Sequence, residues 1–262
     1  MVDLDFVKAN LNISNLVSPS LSGYANHAAF TFGIWEGRSL VEVSTFELSE
    51  LERFNSKIKG INFRDSNLVY FSEVCEHVSF DSFEAHKLEQ YIAPNELKTL
   101  DSGELTYEKL KQQKVFTISS LPNSIQSNQS MFGPKVKLHH SSTALANVLL
   151  DEHDQMLILI DEGHLQLVIQ QDKKFFFYNQ HLALSANDYL YYILLAAQKH
   201  QLDISKMKIS IGGHIDQNSP LYTTLKSYLH QLEFFSSNKY SIDGNKMPVH
   251  NYLPLIIARA CA

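Results

Sequence analysis

The sequence predicts a duplicated α/β fold in which one unit, a mixed sheet with helices on its faces, is built twice. Three observations predict it. Two strand-turn-strand segments with the same Glu-Gly turn lie 126 residues apart, at Glu36-Gly37 and Glu162-Gly163. Amphipathic helices and buried strands follow each of them. No Gly/Ser-rich linker separates the halves, so they are expected to pack together around a cleft. The joint is expected in the turn-rich stretch from Leu121-Pro122-Asn123-Ser124 to Gly133-Pro134, giving halves at residues 1–134 and 135–262, the second with a C-terminal helix.

The first hairpin reads Phe30 to Trp35, Glu36-Gly37, then Arg38 to Val43. A helix with Leu48, Leu51, Phe54 and Ile58 on one face comes next, then a strand over 67–74. The second hairpin reads Met156 to Asp161, Glu162-Gly163, then His164 to Ile169. In this register Glu36 matches Glu162, Gly37 matches Gly163, and Val43 matches Ile169. A third strand is expected over 174–178. A helix then starts at Ser185, where Asp188 three residues on completes a capping box and Tyr189, Leu190, Ile193, Ala196 and Ala197 form the apolar face. The buried strand Met207 to Ile211 ends in Gly212-Gly213. Ser219-Pro220 opens a last clear helix, with Leu221, Leu225, Tyr228, Leu229 and Leu232 at helical spacing.

Composition narrows the function. The chain has 262 residues, 44% hydrophobic, and a net charge of −6, which supports a sizeable core and gives no basic footprint for nucleic acid. Residues 1–130 carry 11 basic and 17 acidic side chains, so the acidity lies in the first half. No apolar run is long enough for a spanning helix. The start, Met1 to Asp5, is acidic where a signal peptide is basic. Two cysteines, Cys75 and Cys261, make no disulfide framework and fit a reducing compartment. A cytoplasmic location without membrane insertion is therefore expected.

The duplicated hairpin is similar to the device by which actin-like ATPases hold nucleotide. There each half offers an Asp-x-Gly turn, and the two turns clamp the phosphates around a hydrated Mg²⁺. Here Asp161-Glu162-Gly163 matches one such turn, and Ile209 to Gly213 has the shape of an adenosine-contacting strand end. Asp161, Gly163, Gly212 and Gly213 are thus the candidate cofactor-binding residues, each also explained by ordinary turn and strand-end structure. In the repeat register Trp35 stands where the partner aspartate should be, so half of the clamp is missing. No cofactor is required by these residues; weakly held ATP with Mg²⁺ stays open.

No catalytic residue and no metal ligand is assigned. There is neither a Gly-x-Ser-x-Gly elbow nor a Walker loop, and Asp161 alone is too little for the carboxylate cluster of a nuclease. His139-His140 and Asp151-Glu152-His153-Asp154 are the best metal candidates. They lack zinc spacing, and neighbours on a strand face opposite ways. Core packing accounts for most of the aromatics, and any that stay exposed would mark a partner surface.

The stretch from Phe177-Tyr178-Asn179 through Ser185 to Asp188-Tyr189-Leu190-Tyr191-Tyr192 resembles the signature of bacterial domain-of-unknown-function family 3822. The similarity continues through Ile211-Gly212, Leu221-Tyr222 and Tyr228 to Pro248-Val249-His250. It covers nearly the whole chain, most closely after residue 135, and departs from the family around 80–94. The resemblance implies a duplicated ribonuclease H-like, actin-like ATPase fold, distantly related to actin-like proteins of pilus assembly and type II secretion, and implies no activity. The expected function is a degenerate actin-like domain that binds a protein partner. The alternative is an ATP-dependent phosphotransferase or ATPase using Asp161.

Overall fold

The computed structural model describes residues 5–7, 11–27, 29–99, 103–110, 113–133, 135–149, 154–243 and 247–262. They fall into two compact units. The N-terminal unit comprises the described residues within Asp5–Ala144, Tyr240–Asn245 and Leu255–Ala262; the C-terminal unit takes those within Leu145–Lys239 and Lys246–Pro254.

In chain order the first elements are β1 (Phe6–Val7), β2 (Ser20–Ala25), β3 (Ala29–Glu36), β4 (Ser39–Glu47), α1 (Leu51–Ile58) and β5 (Asp65–Tyr70). Then come β6 (Cys75–Ser79), α2 (Leu88–Tyr91), α3 (Pro94–Thr99), β7 (Glu104–Leu110) and β8 (Val115–Leu121), followed by α4 (Asn123–Asn128), β9 (Lys137–His140) and α5 (Ser141–Val148). The C-terminal unit holds β10 (Gln155–Asp161), β11 (His164–Gln171), β12 (Lys174–Leu182), α6 (Ala186–Lys199), β13 (Lys208–Gly213), α7 (Pro220–Tyr228) and β14 (Leu232–Phe234). The chain ends through β15 (Ser241–Ile242) and α8 (Leu253–Ala260).

Five strands of the C-terminal unit form one sheet in the order β12-β11-β10-β13-β14. β10, β11 and β12 are antiparallel neighbours, whereas β13 and β14 run parallel to β10. Every residue of β10 is buried, as a central strand covered on both faces requires. α6 begins where the capping box predicts: Ser185 Oγ accepts the Asp188 N–H at 3.3 Å, and the Asp188 carboxylate accepts the Ser185 N–H at 2.8 Å. Its Tyr189, Leu190, Ile193 and Ala196 join Ile158, Ile211 and Leu225 in the core. The helix opened by Ser219 is shorter than its apolar spacing suggests. It ends at Tyr228, and Leu232 starts β14 beside β13 instead of extending α7.

The N-terminal sheet repeats this plan as β4-β3-β2-β5-β9, with β1 and β15 added on β4. β2, β3 and β4 are antiparallel; β5 and β9 run parallel to β2. Leu51, Phe54 and Ile58, at turn-by-turn spacing on α1, pack on this sheet, Phe54 stacking on Phe32 with ring centroids 3.7 Å apart. A boundary expected between 134 and 135 precedes β9, which completes the first sheet by pairing with β5. The last eight residues group with the N-terminal unit.

Strand order corrects the expected repeat register. β10 is the strand paired antiparallel on one side and parallel on the other, and its counterpart is β2, not β3. The β10–β11 turn therefore corresponds to the β2–β3 turn. The Glu36-Gly37 turn joins β3 to β4, at the far end of β3. Shared Glu-Gly residues misaligned the halves by one strand.

The segment between β5 and β9 carries a three-stranded antiparallel sheet, β6-β8-β7, with its own small core around Val74, Ile92 and Ile118. Among the described residues no helix is long and apolar enough to cross a membrane.

Candidate functional site

The carboxyl ends of β10 and β13, adjacent parallel strands, form the place where open α/β sheets collect ligand-binding groups. β10 ends at Asp161, which pairs with His164 across a two-residue turn. Both turn residues have positive φ, 43° at Glu162 and 86° at Gly163, as a tight turn between twisted strands demands. The Gly163 carbonyl accepts the Ala183 N–H at 2.7 Å, tying the turn to the end of β12.

The Asp161 side chain is buried. Its Oδ1 lies 3.4 Å from Nδ1 of His214, the first residue after β13, whose side chain remains 21% exposed. Burial, then the charges of Asp161 and Asp188, push the Tyr189 phenol up to about 12. A buried carboxylate thus lies beside a partly exposed imidazole and near enough to the Tyr189 phenol to help it keep its proton. Such a set can accept hydrogen bonds from a ligand or help to hold a hydrated cation.

The two glycines that end β13 have a structural cause. Gly213 has φ of 92°, and a Cβ there would stand 2.2 Å from the Ile160 carbonyl oxygen. A Cβ on Gly212 would meet the His250 carbonyl oxygen at 2.8 Å and Leu253 Cδ2 at 2.9 Å. Sequence reasoning missed Asn251 beside them. Asn251 Nδ2 donates to the Gly213 carbonyl at 3.2 Å, and His250 Nε2–H donates to the Ile215 carbonyl at 3.0 Å. The His250 ring also stacks on Phe234, centroids 4.0 Å apart. Pro248-Val249-His250 is therefore a latch on the strand end. The glycines make room for the chain itself.

In the N-terminal unit the corresponding turn is closed by other residues. Phe71 N–H donates to the Ala25 carbonyl at 3.0 Å, just as His214 N–H donates to the Ile160 carbonyl at 2.8 Å. That match aligns Asn26 with Asp161, Tyr70 with Gly213 and Phe71 with His214. Asn26 closes its turn through Oδ1, which accepts the Ala29 N–H at 2.9 Å. The turn sequence, Asn26-His27-Ala28-Ala29, of which Ala28 lies outside the described residues, supplies no carboxylate of its own at the Asp161 position, although the Glu73 carboxylate comes within 4.8 Å of the His27 ring. Trp35, expected in the partner aspartate's place, is a core residue at the opposite end of β3. It is fully buried, donates from Nε1 to Ser22 Oγ at 2.6 Å and packs edge-on against Tyr240.

His139 and His140 point to different partners, as alternation on β9 requires. Glu108 receives His139 Nδ1 at 2.9 Å and also the backbone N–H of His140. His140 Nδ1 faces Ser142 Oγ at 2.9 Å and Cys75 Sγ at 3.3 Å, and His77 Nε2 meets the same hydroxyl at 3.2 Å. Burial lowers His77 to about 4; burial and the neighbouring His77 lower His140 to about 3. Burial raises the Cys75 thiol, so it holds its proton and is a poor nucleophile. This cluster was invisible in the sequence because its members come from separate elements. Of the second metal candidate, Asp151-Glu152-His153 lies outside the described residues.

Comparison with known proteins agrees with this topology. The family model described as protein of unknown function, DUF3822, matches residues 62–232. A Bacteroides thetaiotaomicron protein with actin-like ATPase fold and unknown function is similar with a TM-score of 0.68 and 14% identity, over 88% of this chain and 95% of that one. The PilM-PilN type IV pilus biogenesis complex is similar with a TM-score of 0.55 at 10% identity, over 94% of this chain and 99% of that one. The cytoplasmic domain of EpsL, an inner membrane component of the Vibrio cholerae type II secretion system, gives a TM-score of 0.51 at 10% identity, covering 94% and 96%. At these identities the likeness concerns the fold. Among curated proteins none matches the chain.

Proposed function

The chain belongs to the DUF3822 family and has the actin-like ATPase fold, and from that premise we propose that it is a cytoplasmic assembly module that binds another protein and does not turn over ATP. The observation that carries this reading is the inequality of the two turns. Asp161 ends β10, whereas Asn26, an amide already committed to its own turn, stands at the matching place after β2. An amide brings no charge to a hydrated Mg²⁺, so the turn after β2 lacks the carboxylate that Asp161 supplies after β10. Asp161, acting through a hydrated cation, and the backbone at Gly163 would then support weak nucleotide binding at most. Gly212 and Gly213, packed against their own chain, add backbone alone. Similarity to proteins of the PilM-PilN complex and the EpsL cytoplasmic domain supports an assembly role, and two free cysteines accord with the cytoplasm.

Titration with ATP and Mg²⁺, followed by a phosphate-release assay, tests the proposal. Binding is expected to be weak, lost in Asp161→Ala, and unaccompanied by Mg²⁺-dependent turnover. Turnover that Asp161→Ala abolishes overturns it in favour of the second reading, an ATPase or phosphotransferase of the actin-like class. That reading draws on one observation: a buried carboxylate beside His214 at two strand ends.

A further inference from the structure

The N-terminal unit contains a cavity of about 560 Å³ between the loop before β2 and the loop that joins α1 to β5. Its volume lies within the roughly 300–1,000 Å³ of small-molecule sites. Ile13, Leu16, Ile61 and Phe63 form an apolar side, each half-buried and packed on the main core of the unit. Among the described residues the charged ones lining the cavity are Arg64 and Lys135, both cationic, and no carboxylate lines it. In a chain with a net charge of −6 this is a local reversal of sign.

Among the described residues the positive charge is only partly neutralised. Arg64 Nε lies 2.9 Å from Asp65 Oδ2, but the same carboxylate receives Arg259 Nη1 at 3.1 Å. Two guanidiniums therefore share one negative charge. Among the described residues Lys135 has no ion pair. The walls are also fixed in advance. Arg64 N–H donates to the Pro19 carbonyl at 2.8 Å, joining the two loops, and Arg64 Nη2 donates to Ser20 Oγ at 3.0 Å. With the Arg64 guanidinium already oriented, an anion binds there without the cost of ordering that side chain.

We propose that this cavity binds a small organic anion, a phosphate or carboxylate carried on an apolar body. The anion would meet Arg64, whose planar guanidinium suits such oxygens, and Lys135, a mobile point charge. The apolar body would cover Phe63 and Ile61. The site is independent of the Asp161 turn, so the two proposals stand or fall separately.

Phenyl phosphate is the probe, followed by amide chemical shifts of the full chain, with inorganic phosphate and phenol as half-ligands. Saturable shifts at Ser14, Asn62 and Phe63 are expected at millimolar phenyl phosphate. Either half-ligand should bind about tenfold more weakly or worse, since each lacks one of the two contacts. Lys135→Glu, a change at an exposed position, should weaken phenyl phosphate by about tenfold or more by placing like charges together. Should that variant fail to fold, Asn62→Asp places a negative charge in the lining and should weaken binding in the same direction. The proposal is overturned by the absence of saturable shifts at the cavity, by phenol binding as tightly as phenyl phosphate, or by unchanged affinity in a folded charge-reversal variant.

Discussion

The two units of this protein share one strand order and differ in the chemistry at the ends of their central strands. In both, the residue following the second parallel strand donates its N–H to a carbonyl at the end of the first. Around that common hydrogen bond stand Asp161, Gly213 and His214 in one unit, and Asn26, Tyr70 and Phe71 in the other. The difference teaches that this topology needs no carboxylate, no glycine and no histidine at these places. The N-terminal unit closes its turn with the Asn26 amide and fills the strand end with Tyr70, whose hydroxyl bonds Ser119 Oγ at 2.9 Å. Asp161 is therefore an addition to the fold, whereas Gly213 answers to a local clash that its counterpart avoids.

The largest test of this comparison sets those equivalent positions side by side. Gly213→Val must leave a left-handed conformation or collide with the Ile160 carbonyl, and should cost about 4 kcal/mol or more in urea denaturation. Tyr70→Phe, which removes only a hydroxyl, should cost about 1 kcal/mol. Equal losses would break the contrast between the strand ends. Leu225→Ala, a truncation in the core of the C-terminal unit, should cost about 2–5 kcal/mol, and a near-neutral result would show that α7 does not cover that sheet.

Acidification should find the N-terminal unit first. Below about pH 6.5 the unfolded chain protonates His77 and His140, while the folded chain keeps them neutral down to about 4 and 3. The unfolded state then binds more protons, so stability present at neutral pH is lost as pH falls through that window, by about 2 kcal/mol per histidine at pH 5. Urea midpoints at pH 7 and pH 5 measure it, and His77→Gln should shrink the difference. The smallest change in stability is expected from Asn26→Asp, within about 1 kcal/mol, because aspartate accepts the same Ala29 N–H. If the missing carboxylate is what limits cation binding, this variant should make nucleotide binding more dependent on Mg²⁺; an unchanged dependence would detach Asn26 from that role.

Much of the C-terminal unit was legible because its residues satisfy local and global demands at once. β10 is continuously apolar from Met156 to Ile160, α6 carries its cap and its stripe, and Gly163 marks a turn that needs positive φ. The register of the N-terminal half was misread for an equally physical reason. A strand connection can be closed without glycine when a side-chain amide accepts a backbone N–H, as Asn26 does from Ala29, so the sequence after β2 carries none of the signal that Glu36-Gly37 shows. Cys75, Glu76 and His77 on β6 are all half-buried, which erased the period-two pattern and hid the three-stranded sheet. Asn251 and His250 act through backbone carbonyls far away in sequence, and no spacing rule reaches them.

The N-terminal unit takes β15 from residues that follow every strand of the C-terminal sheet, and the larger part of α8 from the last residues of the chain. Leu255 packs beside Gly33, and Arg259 reaches Asp65 and the Gly37 carbonyl. During synthesis one face of the first-made sheet must wait, uncovered, until more than a hundred later residues have left the ribosome. A fragment stopped at residue 144 would inherit that bare face permanently, which makes it a natural client for chaperones and a poor choice for expression on its own.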